Sequence, residues 1–171
     1  MSINILIQEE KELRIKVNYD KCTGCRACEV ACSAKHYKVY SPELSRIKII
    51  KFEDKGTDIP ITCKQCVHAP CVNNCPTQAL YKDPITMATL LKEELCIGCG
   101  VCVEVCPFSA ASLDNSGISM ICDLCGGKPE CVEVCPANAL ELKDIEKTAE
   151  DKRVATAKKH SNNVLKKWKL K

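Results

Sequence analysis

A chain of 171 residues is long enough for one compact domain or two small fused halves, and its formal charge of +3 is no argument for a nucleic-acid partner. Sixteen residues are Cys, while Phe numbers 2 and Trp 1, so apolar packing alone gives a weak core. Disulfides, metal or oligomerisation must supply the rest.

At the N-terminus, residues Met1 to Val17 alternate apolar with charged side chains. They lack the apolar core and cleavage site of a signal peptide. No 18-residue apolar run occurs anywhere, so no transmembrane helix is expected. The expected location is the cytoplasm, where thiols stay reduced, and this favours metal over disulfides.

The predicted elements alternate with cysteine groups. A strand over Arg14–Tyr19 precedes group one: Cys22, Cys25, Cys28 and Cys32. A strand over Ile47–Phe52 precedes group two: Cys63, Cys66, Cys71 and Cys75. Next come a strand over Ile85–Leu91 and group three: Cys96, Cys99, Cys102 and Cys106. Strand residues over Ser112–Ile121 flank an Asn115-Ser116-Gly117 turn, ahead of group four: Cys122, Cys125, Cys131 and Cys135. No Cys is left over. Cys75-Pro-Thr-Gln-Ala79-Leu80 and Cys135-Pro-Ala-Asn-Ala139-Leu140 are near copies, and Cys106-Pro-Phe-Ser-Ala110 is a looser third. Each predicts a short helical turn returning into a strand.

Groups one and three follow the C-x2-C-x2-C-x3-C run of bacterial ferredoxins; groups two and four stretch the middle gap. In that run, three thiolates wrap one [4Fe–4S] cube. The fourth starts a helical turn pointing away and serves the other cube of a pair. Gly24 and Gly98 let backbone approach the cube. Pro76, Pro107 and Pro136 fix the turn after the fourth Cys, where group one has Ser33. The predicted fold class is α+β: a duplicated bacterial two-cluster ferredoxin-like fold, with short strands and short helices around four clusters. Each oxidised cluster with its thiolates carries about −2, which would turn the formal charge negative.

The competing metal is zinc, but zinc sites usually pair two CxxC knuckles across a longer gap than these crowded groups provide. His36, His68 and His160 are not needed as ligands; His68 is expected to pack or hydrogen-bond near a cluster. Tyr19, Tyr37, Tyr81 and Phe108 flank the cysteine loops and read as packing and shielding. No nucleotide loop and no nucleophile–base pair stands out. The tail, Glu141–Lys171, holds ten Lys/Arg against five Asp/Glu. Glu146–His160 reads as a solvent-facing helix, and the apolar face of Val164, Leu165 and Trp168 reads either as its frayed end or as a docking arm.

The four-group order over about Tyr19–Leu140 resembles the four-cluster iron–sulfur subunits of the dimethyl-sulfoxide-reductase and formate-dehydrogenase type. It is similar to the carbon monoxide dehydrogenase partner and to small subunits of some tungsten aldehyde oxidoreductases. The resemblance implies four interlocked ligand sets. Set one is Cys22, Cys25, Cys28 and Cys135; set two is Cys63, Cys66, Cys71 and Cys106. Set three is Cys96, Cys99, Cys102 and Cys75; set four is Cys122, Cys125, Cys131 and Cys32. Cys99 is present where some relatives lose this ligand, so four [4Fe–4S] clusters are expected. The implied halves are residues 1–60 plus 107–140 and residues 61–106, with a basic tail over 141–171. The implied function is non-catalytic: single-electron relay between a catalytic subunit, a tungsten or molybdenum pterin enzyme, and a second redox partner or ferredoxin. Service to carbon monoxide dehydrogenase or hydrogenase, a free-standing polyferredoxin and a structural zinc module are the alternatives. No nucleic acid and no direct membrane span are expected.

Overall fold

The computed structural model describes residues 12–145 together with 153, 154, 156 and 157. Short strands pair two by two. β1 (Leu13–Val17) runs antiparallel to β8 (Leu140–Asp144), bringing the two ends of the described chain together. β2 (Lys48–Phe52) pairs with β3 (Thr57–Ile61). β4 (Leu80–Lys82) pairs with β5 (Thr89–Leu91), and β6 (Ser112–Leu113) with β7 (Ser119–Met120). Four helices each start within a cysteine group: α1 (Ala27–Tyr37), α2 (Pro70–Asn73), α3 (Val101–Glu104) and α4 (Glu130–Glu133).

The helices pack α1 on α4 and α2 on α3. Two apolar cores follow. One gathers Ile15, Ile47, Ile49, Leu124 and Leu140 with Cys28, Cys32 and Cys131. The other gathers Leu80, Ala111 and Ile121 with Cys102, against which Cys63, Cys71, Cys75 and Cys106 pack.

The structure departs from the sequence expectations in several places. The first strand runs Leu13–Val17 and gives way to a 3-10 turn at Tyr19–Lys21. The strand expected over Ile85–Leu91 is only Thr89–Leu91. Its first half is a turn, because Asp83 accepts the Thr86 N–H at 2.8 Å and also takes its hydroxyl, while Met87 adopts a left-handed φ of 54°. The second core reaches Ala111 and Ile121, past the expected boundary at residue 106, because the β6–β7 hairpin folds back over α3. Glu141–Asp144 belongs to β8 rather than to a tail, since it pairs with β1. The Asn115-Ser116-Gly117 turn forms as expected: Asp114 caps it through Ser116 N and Ile118 N at 2.8 and 2.9 Å.

The helical turns also sit elsewhere than expected. The third cysteine of each group lies on a helix, at its second position: Cys28, Cys71, Cys102 and Cys131; of the fourth cysteines only Cys32 also lies on one. The N–H groups of a helix start have no intrahelical partner, so they are free to face sulfur. Cys75, Cys106 and Cys135 come after the helix and open β-turns, closed by Gln78 N, Ser109 N and Asn138 N at 3.1, 3.2 and 3.1 Å. Proline at the second turn position presets the needed φ. Group one lacks that proline for a reason visible in the fold. Ser33 lies inside the eleven-residue α1, where proline would break the helix.

Candidate metal centres

The residue just before the second cysteine is left-handed in all four groups: Gly24 at 62°, Gln65 at 47°, Gly98 at 68° and Leu124 at 56°. Such a turn curls each loop so that its thiols converge. Glycine takes this conformation freely, and at Gly98 a Cβ would also meet the Gly117 carbonyl oxygen at 2.8 Å. Gln65 and Leu124 adopt it at a cost that tertiary contacts offset. Leu124 is 0% exposed in the first core. Gln65 is 3% exposed. Its Nε2 donates to the Cys122 carbonyl at 2.6 Å, and its Oε1 accepts the Thr89 N–H at 2.8 Å.

Beyond the fourth cysteines, a second left-handed residue turns a backbone N–H back onto sulfur. Gln78, Ser109 and Asn138 have φ of 53°, 48° and 48°. Ala110 N then donates to Cys106 Sγ at 3.4 Å and Ala139 N to Cys135 Sγ at 3.3 Å. This explains the Cys-Pro-x-x-Ala repeat. In group one a distant residue does the same work: Arg46 N donates to Cys32 Sγ at 3.3 Å.

Three cavities are each lined by four cysteines. The first takes Cys22, Cys25, Cys28 and Cys135. The next takes Cys75, Cys96, Cys99 and Cys102. The third takes Cys32, Cys122, Cys125 and Cys131. Of the remaining four, Cys63 lies in electrostatic reach of Cys66 and Cys71, and Cys71 in reach of Cys106. The half-buried Lys82 ammonium faces Cys63, Cys71 and Cys66, its pKa lowered by burial and partly restored by those thiols.

The four foursomes also adjoin one another. The thiol of Cys131 feels Cys28, and that of Cys122 feels Cys63. The second core then joins Cys63, Cys71 and Cys106 to Cys75 and Cys102. The series therefore runs from the Cys22 foursome through the Cys122 and Cys63 foursomes to the Cys96 foursome. Only Cys25 and Cys99 among the cysteines are exposed, one in each terminal foursome.

Electrostatics decide what these sites fit. Burial, with the nearby Glu29 charge, pushes the Cys28 thiol up to about 12. Burial beside Cys32 does the same to Cys131, and burial takes Cys63 to about 11. Burial next to Cys63 raises Cys122 well above the thiol range. Cys75 is the exception: burial opposes ionisation, but bonds from Leu80 N–H, the Thr77 hydroxyl and Ala79 N–H hold its pKa down. Four crowded, desolvated thiols disfavour ionisation unless a cationic centre sits among them. The donor set, its crowding and the N–H groups aimed at sulfur fit an iron–sulfur cube.

The histidines divide. His36 Nε2 is 3.7 Å from Cys125 Sγ and 3.5 Å from Asp123, which also binds Arg46 at 2.9 Å and caps Cys125 N at 2.9 Å. Burial, followed by the Arg46 charge, lowers the His36 pKa. His68 is exposed rather than packed, and His160 and the suggested docking arm lie outside the described residues. Tyr19 and Phe108 are half-exposed in a cleft with Lys48 and Lys64, not shields over sulfur. Sequence reasoning missed Gln65, Arg46, Asp123 and Lys82. The one available signal was positional: Gln65 and Leu124 occupy the place that glycine holds in groups one and three.

Comparison with known proteins agrees with this chemistry. The polyferredoxin-like subunit of an aliphatic sulfonate oxidoreductase from Pyrococcus furiosus is 46% identical over 116 residues, covering 67% of this chain and 66% of that one. The electron transport protein HydN of Escherichia coli is 41% identical over 97 residues, covering 53% of each. The formate dehydrogenase iron-sulfur subunit of Wolinella succinogenes is 34% identical over 115 residues, covering 64% of this chain and 56% of that one. The chain thus spans less than two thirds of the length of these curated relatives. Among the described residues, no helix is long and apolar enough to cross a membrane. Residues 13–34 match a 4Fe-4S binding domain. Residues 56–145, more than half of the chain, match the 4Fe-4S dicluster domain, and the chain belongs to that family.

Proposed function

We propose that this chain holds four [4Fe–4S] clusters on the four ligand sets named from the sequence. In this reading it is a non-catalytic electron-transfer subunit of a cytoplasmic oxidoreductase complex. It relays single electrons between a catalytic subunit, a tungsten or molybdenum pterin enzyme, and a second redox partner. The observation that carries this reading is the series of cysteine foursomes with one exposed cysteine in each terminal member. When bound, the clusters supply reversible one-electron chemistry at iron. The chain's own residues hold them, wrap the inner two in protein and leave Cys25 and Cys99 at the surface for partners. The names of the relatives from Pyrococcus furiosus and Wolinella succinogenes support service to an oxidoreductase. On the duplicated-ferredoxin reading, groups one and four form one half and groups two and three the other; the packing of α1 on α4 and α2 on α3 supports this.

Anaerobic reconstitution is expected to load about sixteen iron atoms per chain, four for each cube. About eight iron, or stoichiometric zinc, would defeat the four-cluster reading. Anaerobic affinity purification from the native cell is expected to bring down a pterin-containing subunit. A chain that runs alone would make it a diffusing carrier instead.

A further inference from the structure

One terminal foursome differs from the other three in how its sulfurs are hydrogen-bonded. Ser119 Oγ lies 3.3 Å from Cys102 Sγ, and Thr77 Oγ1 lies 3.8 Å from Cys75 Sγ. Both hydroxyls line the cavity that also holds Cys96 and Cys99. Among the described residues, no other cysteine sulfur has a hydroxyl partner; Arg46, Gln65, Ala110 and Ala139 offer backbone N–H, and His36 an imidazole nitrogen. The Ser119 contact is deeply buried, with Ser119 3% and Cys102 7% exposed. A bound thiolate has no proton to give, so the hydroxyl must donate. In a dry site such a bond is stronger than in water. Its strength grows with negative charge on sulfur, and that charge is greater when the cluster holds the extra electron. A donor of this kind favours the reduced state.

We propose that Ser119, assisted by Thr77, is a tuning residue that raises the reduction potential of the cluster on Cys75, Cys96, Cys99 and Cys102. The inference rests on the four-cluster reading above. It gives the terminal site with exposed Cys99 a device, built from two hydroxyls, that its counterpart with exposed Cys25 lacks. Ser119 is brought to Cys102 by β7 and Thr77 to Cys75 by the Cys75–Gln78 turn, so two separate segments converge on one site.

The test is a potentiometric titration of the fully loaded protein, followed by electron paramagnetic resonance. Cys99→Ser first marks which signal belongs to this site. Ser119→Ala is expected to weaken electron binding at that signal roughly tenfold, a drop of about 59 mV for a one-electron couple. The other three potentials and the iron content should stay as they were. Ser119→Thr, which keeps the hydroxyl, should restore most of the shift. Thr77→Ala should lower the same signal by less, as its longer contact predicts. If Ser119→Ala does not retain its iron, Thr77→Ala and Ser119→Thr decide the matter. Unchanged potentials with full iron, or a uniform shift of all four signals, would overturn the tuning role while leaving the four-cluster reading intact. Low iron in the unaltered protein would overturn that reading instead.

Discussion

Single residues here act through backbone conformation as much as through side chains. Gly98 combines a left-handed φ of 68° with a neighbouring carbonyl oxygen 2.8 Å from where a Cβ would sit. Gly98→Ala must therefore shift the Gly117 turn as well as bear left-handed strain of about 1–2 kcal/mol. A lower thermal midpoint and partial iron loss are expected, and wild-type values for both would contradict the account. Gln65 poses the converse problem, a non-glycine in the same position. Gln65→Ala keeps the strained backbone and leaves the Cys122 carbonyl and the Thr89 N–H without their partner. Each buried orphan costs roughly 1–3 kcal/mol. Chemical denaturation of the loaded protein should show the loss. Buried Glu29 acts likewise: its Oε1 accepts Ile49 N at 2.8 Å and ties α1 to β2.

Among the elements, α1 stands apart from the three short helices. It has eleven residues, closes with Lys38 in a left-handed cap and carries both Cys28 and Cys32. Groups two, three and four place proline directly after the fourth cysteine, and a consensus-minded substitution would put proline at Ser33 as well. The structure predicts the opposite of a stabilisation. Ser33→Pro removes a helical N–H bond in the helix interior and costs about 3 kcal/mol or more. It also loses the Ser33 hydroxyl that accepts Ser41 N at 3.1 Å. Reduced far-ultraviolet helical signal and loss of about four iron atoms are expected, since Cys32 would lose its place. Full helicity and full iron would refute this.

At the scale of the whole molecule, the cysteines belong to the cores. Cys28, Cys32, Cys102 and Cys131 are buried among aliphatic side chains, and several others pack against them. Stripping iron under anaerobic, reducing conditions should therefore loosen both cores together, because metal binding and folding are linked. Hydrogen exchange should accelerate across β1 and β8 as well as β4 and β5; protection that survives iron removal would show a fold independent of metal. The two ends of the series should also differ from its middle. Cys32→Ser strikes a buried sulfur between α1 and α4, whereas Cys99→Ser strikes an exposed one. The first is expected to lower the unfolding midpoint more than the second.

The sequence by itself determined the donor inventory: sixteen cysteines in four groups, the prolines that follow three fourth cysteines, and the glycines before two of the second ones. These are local features, because a tight loop around a metal site is a short-range constraint on φ and on spacing. It also placed the Asn115-Ser116-Gly117 hairpin turn. It did not show α1, since the group-one spacing is the same whether the fourth cysteine sits in a helix or in a turn. Ser33 in place of proline was the only trace. Tertiary structure alone decided what comes from far along the chain. Residues 13–17 pair with residues 140–144, Arg46 reaches Cys32, Gln65 reaches Cys122, and Ser119 reaches Cys102. Tertiary structure also left Cys25 and Cys99 at the surface and buried Cys28, Cys32, Cys102 and Cys131. Exposure and long-range hydrogen bonds depend on how whole elements pack, and no period or spacing along the chain encodes that packing.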